Sequence, residues 1–452
     1  MTNYFRYSLS DIAQAIKTKK ITSIDFMESL ISRVDSRESE LNVWANFDKE
    51  NALFLAHKAH KKFLKDPNSV GSLHGVPFGV KDIFFTKGIR TECGSKIFKG
   101  FIPDYNSEAV SKLQRSGAIN IGKTVTTEFA GFDPSITCNP WNTNHTPGGS
   151  SSGSAVGVSV GMIPFSLGSQ TGGSVLRPAS YNGVVGFKPT YGLISTFGVM
   201  PLAWSLDTVG TFSKYAKDLP LLLDVLSGYD SRDKGSVKIS RKKYLFQKNL
   251  QKPPKIGVLR SHFFEKANKD VIENVDLAIN KFKKSGAEIV DFRVDFSYED
   301  VLNMHKVLMY VEGASVHQKN YQKRPDDFGQ KISESIETGL MTSAVEYIKA
   351  QKFRKFVKGQ LIEKMMDFDF VLTPSTPTAA TDFSTTGDAS FQSPWTYVGF
   401  PTITIPSGLD NDRLPLGIQI IGIPFSDGSL ISNAIWCEDL LQKNLFLEFE
   451  KY

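Results

Sequence analysis

Two glycine- and serine-rich turns, Gly148–Gly153 and Gly172–Ser174, carry the residues best suited to chemistry. Such turns can present the hydroxyl of Ser150 or Ser174 together with bare N–H groups, since glycine lets the backbone approach a ligand closely. Lys81 lies in an apolar stretch, where loss of solvation disfavours the charged amine and can make it a base. Attack on an acyl carbon needs a nucleophile, a proton acceptor and oxyanion donors. The combination predicts an acyl-transfer site that works without histidine.

Taken singly, each feature has a plainer interpretation. Gly172–Gly173 alone is more simply an ordinary loop, and Lys81 alone is more simply the partner of a carboxylate at a strand end. The loop follows the strand-like Phe165–Leu167. A helix beginning near Ser174 would direct free N–H groups outward, and Pro178 fits only near the first turn of such a helix.

Two other motifs match known patterns but lack the required context. Gly117–Thr124 fits the phosphate-binding pattern GxxxxGK[ST], yet a helix precedes it and a strand lies between the glycines, so we predict no nucleotide site. Gly149–Gly153 fits the nucleophile elbow GxSxG centred on Ser151, yet a loop precedes it. A Ser-His-Asp triad is also disfavoured, because no histidine has a convincing catalytic context. The histidines are His57, His60, His74, His145, His262, His305 and His317.

The composition limits the class of protein. With 452 residues, 40% of them hydrophobic and 22% charged, the chain can bury a large core. A net charge of +6 without a clustered basic arm argues against nucleic-acid binding. Cys93, Cys138 and Cys437 share no short spacing, which argues against a disulfide framework or zinc site and fits a reducing, cytoplasmic compartment. Neither a signal peptide nor a membrane span is predicted.

Periodicity and turn residues predict an α/β fold. From Leu73 onward short apolar runs alternate with helical patterns, which indicates a parallel or mixed sheet covered by helices on both faces. Residues 226–370 are richer in helix and interpretable as an insertion between two parts of one sheet. Ser10 and Thr22 are candidate helix caps, the latter with Asp25. The predicted helices are Asp11–Lys17, Ile24–Val34, Asn51–Leu64, Ala109–Arg115, Ser154–Val160 and Ala344–Met366, the last being the longest. The predicted strands are Gly75–Ile83, Ala118–Ile121, Phe165–Leu167, Val184–Phe187, Lys255–Leu259, Glu288–Phe292, Phe370–Thr373, Thr402–Ile405 and Gly417–Ile421.

Four segments together resemble the amidase signature family, and the similarity runs over nearly the whole chain. They are Gly79–Asp82, Gly148–Ser154, Gly172–Ser174 and Gly183–Pro189. The resemblance implies a single amidase domain over residues 1–452, with a large mixed β-sheet covered by helices on both faces. Its parts would be N-terminal helices (1–65), a signature core (66–225), a helix-rich insertion (226–370) and a return to the core sheet (371–452).

The resemblance also implies a Ser–cis-Ser–Lys triad that cleaves amides through an acyl-enzyme, with no cofactor and no metal. Ser174 resembles the nucleophile and Lys81 the terminal base. Ser150 resembles the bridging serine, with a cis peptide bond expected before it, and Ser151 resembles a supporting serine. The oxyanion hole would be the backbone N–H groups of Thr171, Gly172, Gly173 and Ser174.

The nucleophile loop departs from the pattern Asp-Thr-Gly-Gly-Ser-Ile-Arg of many members. Gln170 replaces the acid and Leu176 the arginine, while Arg177 comes one residue later. All three triad positions are intact. The departure therefore puts in doubt an acid–arginine pairing at this loop, and not the nucleophile.

Two branches of the family compete as the source of the function. Free-standing amidases hydrolyse small amides, whereas the glutaminase-like A subunit of the tRNA-dependent amidotransferase releases ammonia from glutamine and works with partner subunits on charged tRNA. Gly122–Ala130, Thr386–Asp388 and Ser393–Thr396 look more like the free amidases, and Tyr310–Gly313 does not resemble the amidotransferase's glutamine-site segment.

We therefore predict a small-molecule amide substrate and neither a nucleic-acid nor a membrane partner. A homodimer is compatible with the sequence. A catalytically dead binding protein on this fold is a third alternative. Trp395, Trp204 and Phe132 are candidates for an acyl pocket, with ordinary core packing as the competing interpretation.

Overall fold

The computed structural model describes residues 4–239, 244, 250 and 252–441. Its strands are β1 (Trp44–Phe47), β2 (Pro77–Lys81), β3 (Ile119–Thr124), β4 (Phe165–Gln170), β5 (Val185–Lys188), β6 (Thr208–Ser213), β7 (Lys255–Val258), β8 (Glu288–Asp291), β9 (Phe370–Pro374), β10 (Thr402–Leu409) and β11 (Pro415–Ile421). Its α-helices are α1 (Leu9–Lys17), α2 (Ser23–Leu41), α3 (Lys49–Lys65), α4 (Glu108–Arg115), α5 (Ser152–Ser159), α6 (Leu176–Asn182), α7 (Leu219–Leu226), α8 (Phe263–Lys266), α9 (Lys269–Lys284), α10 (Tyr298–Lys323), α11 (Gln330–Met341), α12 (Ala344–Met365), α13 (Ser393–Val398) and α14 (Asp427–Leu441).

The described strands form one mixed sheet in the order β1-β3-β2-β4-β6-β5-β10-β11-β9-β7-β8. The pairs β2–β3, β2–β4, β7–β8 and β7–β9 are parallel, and the other pairs are antiparallel. The predicted α/β fold with a large mixed sheet is confirmed. Because β2 and β4 run parallel and side by side, their carboxyl ends meet at the same edge of the sheet, which brings Lys81 near the loop that follows β4.

The helix caps show where local sequence signals succeed. Thr22 caps α2 in a capping box with Asp25, as predicted. The predicted cap at Ser10 is wrong, because the Ser8 hydroxyl accepts from the Asp11 N–H and α1 therefore begins at Leu9. A cap side chain bonds to the N–H group two or three residues later. Asp11, three residues after Ser8, therefore indicates a helix start at Ser8 better than at Ser10.

The longest described helix is α10, not the predicted Ala344–Met366, which forms the shorter α12. Gly313 in the middle of α10 weakens the helical pattern of the sequence, since glycine lowers helix propensity by about 1 kcal/mol. In the fold it faces Leu202, whose carbonyl oxygen would lie 3.4 Å from a Cβ at Gly313. The helix packs against α11 and α12 and walls one side of the site described below.

The region between residues 226 and 370 is not purely an insertion. Its strands β7 and β8 extend the sheet beyond β9, so this region supplies one end of the sheet as well as helices. Two strands escaped prediction. β6 is buried along its whole length and therefore lacks alternation, and β1 is a four-residue edge strand. Residues 442–452 of the predicted return to the core lie outside the described residues. Within the described ranges, no helix combines the length and apolar character needed to cross a bilayer.

Candidate active site

Lys81, the last residue of β2, is completely buried. Its Nζ lies 2.7 Å from Ser150 Oγ and 2.8 Å from Ser169 Oγ. Within the described residues it forms no ion pair with a carboxylate. Burial lowers the pKa of Lys81 well below its ordinary value, and the charge of Asp207 only partly offsets that effect. Burial therefore favours the neutral form of the amine, which has a lone pair that can accept a proton.

A neighbouring lysine, and not Lys81, pairs with a carboxylate at the end of a strand. Lys123, also completely buried, lies 3.4 Å from Asp82 and donates to the Phe84 carbonyl and the Thr91 hydroxyl. Lys123 is the lysine of the GxxxxGK[ST] motif, and β3 occupies the segment between the two glycines. With the amine paired inside the protein, the motif has no phosphate-cradling loop, as predicted.

The turn that carries Ser150 has the predicted cis peptide bond between Gly149 and Ser150. The Ser150 carbonyl accepts from the Thr127 N–H at 3.2 Å. Ser151 is buried, and its hydroxyl lies 3.3 Å from the carbonyl oxygen and 3.4 Å from the nitrogen of Ser169. Ser151 thus braces the end of β4 rather than standing exposed on a nucleophile elbow, which agrees with our rejection of GxSxG.

The Gln170 side chain stabilises the loop that carries Ser174. Its Oε1 accepts from the N–H groups of Val175 and Leu176 at 2.9 and 3.0 Å. Its Nε2 donates to Thr396 Oγ1, which in turn donates to the Gly172 carbonyl at 2.6 Å. A neutral amide therefore satisfies the start of α6 and ties the loop to α13. No acid–arginine pair exists among the described residues of this loop.

The expectation of free N–H groups at the start of a helix needs correction. The helix begins at Leu176 rather than Ser174, and its first N–H groups are already bonded to Gln170. Pro178, the third residue of α6, lies in the first turn as predicted. The N–H groups that donate to no acceptor within the described residues precede the helix, on Thr171, Gly172, Gly173 and Ser174.

Thr171 is fixed by two groups that sequence reasoning missed. Its hydroxyl donates to Asp207 Oδ1 at 2.5 Å, and the other oxygen of Asp207 accepts from the Leu202 and Ala203 N–H groups. His305 Nε2 lies 2.8 Å from the Thr171 carbonyl oxygen and donates to it. Burial raises the pKa of Asp207 to about 6 and lowers that of His305 to about 4. At neutral pH the histidine is therefore neutral and the aspartate is mostly ionised.

Ser174 lines a cavity of about 340 Å³ between its own loop, Thr171–Ser174, and α10. Phe132 lines it, with its ring against Tyr310. The other two predicted pocket aromatics do not line it. Trp395 is buried in the core, stacked on Phe263, and Trp204 is 59% exposed. His305, which has no convincing catalytic context in the sequence, also lines the cavity.

The structure brings Lys81 and Ser150 into contact and places Ser174 on the cavity wall, 8% exposed. Among the described residues, Ser174 makes no hydrogen bond to Ser150. Ser169, the second partner of Lys81, was missed because the predicted strand stopped at Leu167, whereas β4 continues to Gln170. No group of His, Cys, Asp and Glu in the described part of the chain could hold a metal ion.

Known proteins with a similar sequence or fold share this architecture. The Amidase family model matches residues 25–431. This chain belongs to the amidase signature family. It is 32% identical to the A subunit of the glutamyl-tRNA(Gln) amidotransferase of Halothermothrix orenii, over 96% of this chain and 97% of that one. The same-named protein of Pelagibacter ubique is 34% identical over 98% of both chains. A solved amidase structure superposes with a TM-score of 0.85 at 26% identity, over 96% of this chain and 99% of that one.

Family membership establishes the chain as an amidase-family hydrolase that acts on amide C–N bonds. Some relatives are named as amidases and others as part of an amidotransferase. The choice between those activities, and the assignment of roles to individual side chains, therefore has to come from the site.

Proposed function

We propose that this chain is a free-standing amidohydrolase that cleaves a small carboxylic amide to an acid and ammonia or an amine, through an acyl-enzyme on Ser174. The observation that carries the proposal is the environment of Lys81. Its amine is completely buried, lies against the hydroxyls of Ser150 and Ser169, and has no carboxylate ion pair within the described residues. A neutral amine in that position can serve as the terminal base.

In the proposed first half-reaction, Ser174 Oγ attacks the amide carbon while its proton passes to Ser150 Oγ. The Ser150 proton passes at the same time to Lys81 Nζ, which becomes an ammonium. When the tetrahedral intermediate collapses, the C–N bond breaks and the leaving nitrogen takes a proton back along the same route. In the second half-reaction, water gives its proton to this route and attacks the acyl carbon, and Ser174 leaves as a regenerated hydroxyl.

Ser169 orients the Lys81 amine so that its lone pair points toward Ser150 in the proposed mechanism. A neutral amine has two N–H bonds and one lone pair. The Ser169 hydroxyl, 2.8 Å away, can accept a hydrogen bond from one of the two N–H groups. The lone pair is then free to face Ser150 at 2.7 Å. The remaining link, from Ser174 to Ser150, would form as substrate binds, since catalytic hydrogen bonds often tighten only in the substrate complex.

Developing negative charge on the substrate oxygen needs donors that are already in place. The candidates are the N–H groups of Thr171, Gly172, Gly173 and Ser174, which donate to no acceptor in the part of the chain that the structure describes. The Thr171 hydroxyl donates to Asp207, and the carbonyls of Thr171 and Gly172 accept from His305 and Thr396. These bonds restrain the loop. Fixed donors of this kind stabilise an oxyanion without reorganising during the reaction.

A second candidate function is the glutaminase component of a tRNA-dependent amidotransferase. The observation that favours it is full-length identity of 31–34% to proteins of that name. The two candidates differ in what they require. A free-standing amidase releases ammonia from small amides as the isolated chain, whereas the amidotransferase component is expected to hydrolyse glutamine efficiently only with its partner subunits and tRNA.

The test is ammonia release by the purified chain from simple aliphatic and aromatic amides, glutamine and asparagine. We expect turnover of at least one small amide without any partner, and its loss in the matched Ser174→Ala variant. Turnover of glutamine alone, and only with partner subunits and tRNA, would favour the second candidate. Unchanged turnover in Ser174→Ala would refute the assignment of the nucleophile. A chain that is folded, inactive and unreactive to serine-directed fluorophosphonates would be the non-catalytic binding protein.

A further inference from the structure

Asp207 lies between the two functional parts of the site. Its Oδ1 accepts from the Thr171 hydroxyl at 2.5 Å and so contacts the loop that offers the oxyanion donors. It also lines a second, smaller cavity, whose wall includes Ser169, the hydroxyl partner of Lys81. That cavity has a volume of about 10 Å³, which is room for about one water molecule. One hydroxyl and one small cavity therefore separate the carboxylate from the proposed base.

The sheet determines the position of Asp207. β4 and β6 are antiparallel, and the pair at this end of their ladder joins Gln170 to Thr208. Thr171 and Asp207 are the next residues beyond that pair, so the ladder sets them opposite each other. The second carboxylate oxygen accepts from two backbone N–H groups of the preceding loop, at 2.9 and 3.1 Å. Three hydrogen bonds therefore hold the carboxylate in one orientation.

The other acidic groups near Lys81 are not available to balance its charge. Asp82, the next residue in the chain, lies 3.4 Å from Lys123 and pairs with that lysine instead. The Cys93 thiol is uncharged at neutral pH, because burial raises its pKa. Burial lowers the pKa of Lys81, and the largest opposing effect is the negative charge of Asp207. Asp207 is therefore the carboxylate that acts most strongly on the amine.

The charged and titratable groups around Asp207 come from β2, α10, α12 and the turn after β5. They are Lys81, His305, Glu312, Arg354 and Tyr191. Burial is the main cause that raises the pKa of Asp207 to about 6, and repulsion by Glu312 adds to it, while the hydrogen bonds to the carboxylate oppose the rise. Asp207 is therefore mostly ionised at neutral pH and loses its charge in mild acid.

We infer that Asp207 is the counter-charge of the Lys81 ammonium and that it couples the proposed base to the oxyanion loop. This inference rests on the proposed function and deepens it. When Ser174 attacks, Lys81 gains a proton and becomes a buried cation, which a fixed carboxylate nearby stabilises. The same carboxylate holds the hydroxyl of Thr171. Asp207 acts through these two residues and contacts no substrate, so it is a positioning residue whose own protonation weakens both effects.

The test is the pH dependence of kcat/KM in the wild type and in Asp207→Asn. The wild type needs neutral Lys81 and ionised Asp207, so below about pH 6 its activity should fall more steeply than a single ionisation allows. Asp207→Asn keeps the shape and removes the charge. Its plateau should fall by about 10- to 100-fold, the usual effect of losing an interaction with a charged group. Its acid limb should follow one ionisation and move to lower pH, because Lys81 then holds its proton less tightly.

Asp218→Asn is the matched control. Asp218 is also buried, accepts from two backbone N–H groups at 3.1 and 2.9 Å, and has its pKa raised by burial to about 6. It lines neither cavity, so its replacement should leave the pH profile unchanged even where it lowers stability. A purely structural role for Asp207 would lower the plateau without moving the acid limb.

Thr171→Val separates the two effects of the carboxylate. It removes the hydroxyl that bonds to Asp207 and keeps the charge, so the plateau should fall while the acid limb does not move to lower pH. If Asp207→Asn does not fold, this variant and the steepness of the wild-type limb supply the test. A wild-type limb that follows a single ionisation, or a limb in Thr171→Val that moves to lower pH, would overturn the inference.

Labelling of Ser174 by a fluorophosphonate keeps this inference separate from the proposed function. The labelling rate requires the base but no amide, so its pH profile should respond to Asp207→Asn in the same way. Identical profiles in Asp207→Asn and the wild type, or an equal shift in Asp218→Asn, would overturn the inference and leave the amidase function in place. A chain that shows the predicted labelling profile but hydrolyses no amide would support the inference and refute the proposed function.

Discussion

Replacing Lys81 by methionine tests the proposed base while retaining most of the buried stem. We expect the rate of acyl-enzyme formation to fall by about 10²- to 10⁴-fold, the usual contribution of a positioned acid–base group. At 1.36 kcal/mol per decade this corresponds to about 2.7–5.5 kcal/mol of activation free energy. In the wild type, kcat/KM should fall as pH drops through the lowered pKa of Lys81, because protonation removes the acceptor lone pair.

The same substitution has a predicted signature in stability. Burial lowers the pKa of Lys81 in the folded chain, whereas in the unfolded chain it returns to about 10.4. Between these two values the unfolded state holds the extra proton, so this lysine makes stability rise with pH by up to about 1.4 kcal/mol per unit. Lys81→Met removes that slope. Its melting temperature relative to the wild type should therefore be highest at the low-pH end of this window and decline towards pH 10.

For a chain of 452 residues, the unfolding entropy near 60 °C is on the order of 1 kcal/mol/K, so the relative shift should be about 1–2 °C per pH unit. Differential scanning fluorimetry across this pH range measures it. Lys188→Met is the matched control: Lys188 is also completely buried, and its pKa is lowered to about 7 by burial. Its removal should shift stability with the same sign but leave the amidase rate near the wild-type value. Undiminished activity in Lys81→Met, or an equal loss of activity in Lys188→Met, would exclude Lys81 as the base.

Substitutions at three further positions test which contacts hold the site in place. Ser169→Ala should reduce kcat by roughly tenfold at the alkaline plateau, because the Lys81 amine loses the partner that orients it; an unchanged kcat would exclude that role. His305→Leu should lower stability by about 1–3 kcal/mol by leaving the Thr171 carbonyl unpaired, whereas His305→Gln, which keeps a donor, should recover much of the loss in thermal midpoint and kcat. Gln170→Leu should lower the melting temperature more than His305→Leu does, because two N–H groups, those of Val175 and Leu176, lose their acceptor. A melting temperature equal to that of the wild type would show that Gln170 does not stabilise the start of α6.

Local signals predicted the parts of the fold that local physics determines. The capping box at Thr22 depends only on residues three apart, and the apolar stretch around Lys81 predicted a buried strand correctly. The cis bond before Ser150 and the membership of the family came from the resemblance, not from composition or periodicity. The wholly buried β6 shows the limit, since burial on both faces removes the alternation that would reveal a strand.

The site residues that escaped prediction act through contacts distant in sequence. Ser169 gains its role from the neighbouring strand that ends at Lys81, and His305 reaches Thr171 from α10, more than a hundred residues away. The three candidate pocket aromatics were chosen from residue type alone. Because type does not fix which face of an element points inward, only Phe132 of the three lines the cavity.

In the proposed mechanism Ser174 forms the covalent intermediate and Lys81 acts as its general base. Labelling with a fluorophosphonate, followed by peptide mass mapping, measures this directly. We predict a single adduct on the peptide that contains Ser174, no adduct in Ser174→Ala, and labelling slowed by at least about a hundredfold in Lys81→Met. An adduct on Ser150 or Ser151, or equal labelling rates in Lys81→Met and the wild type, would contradict the account.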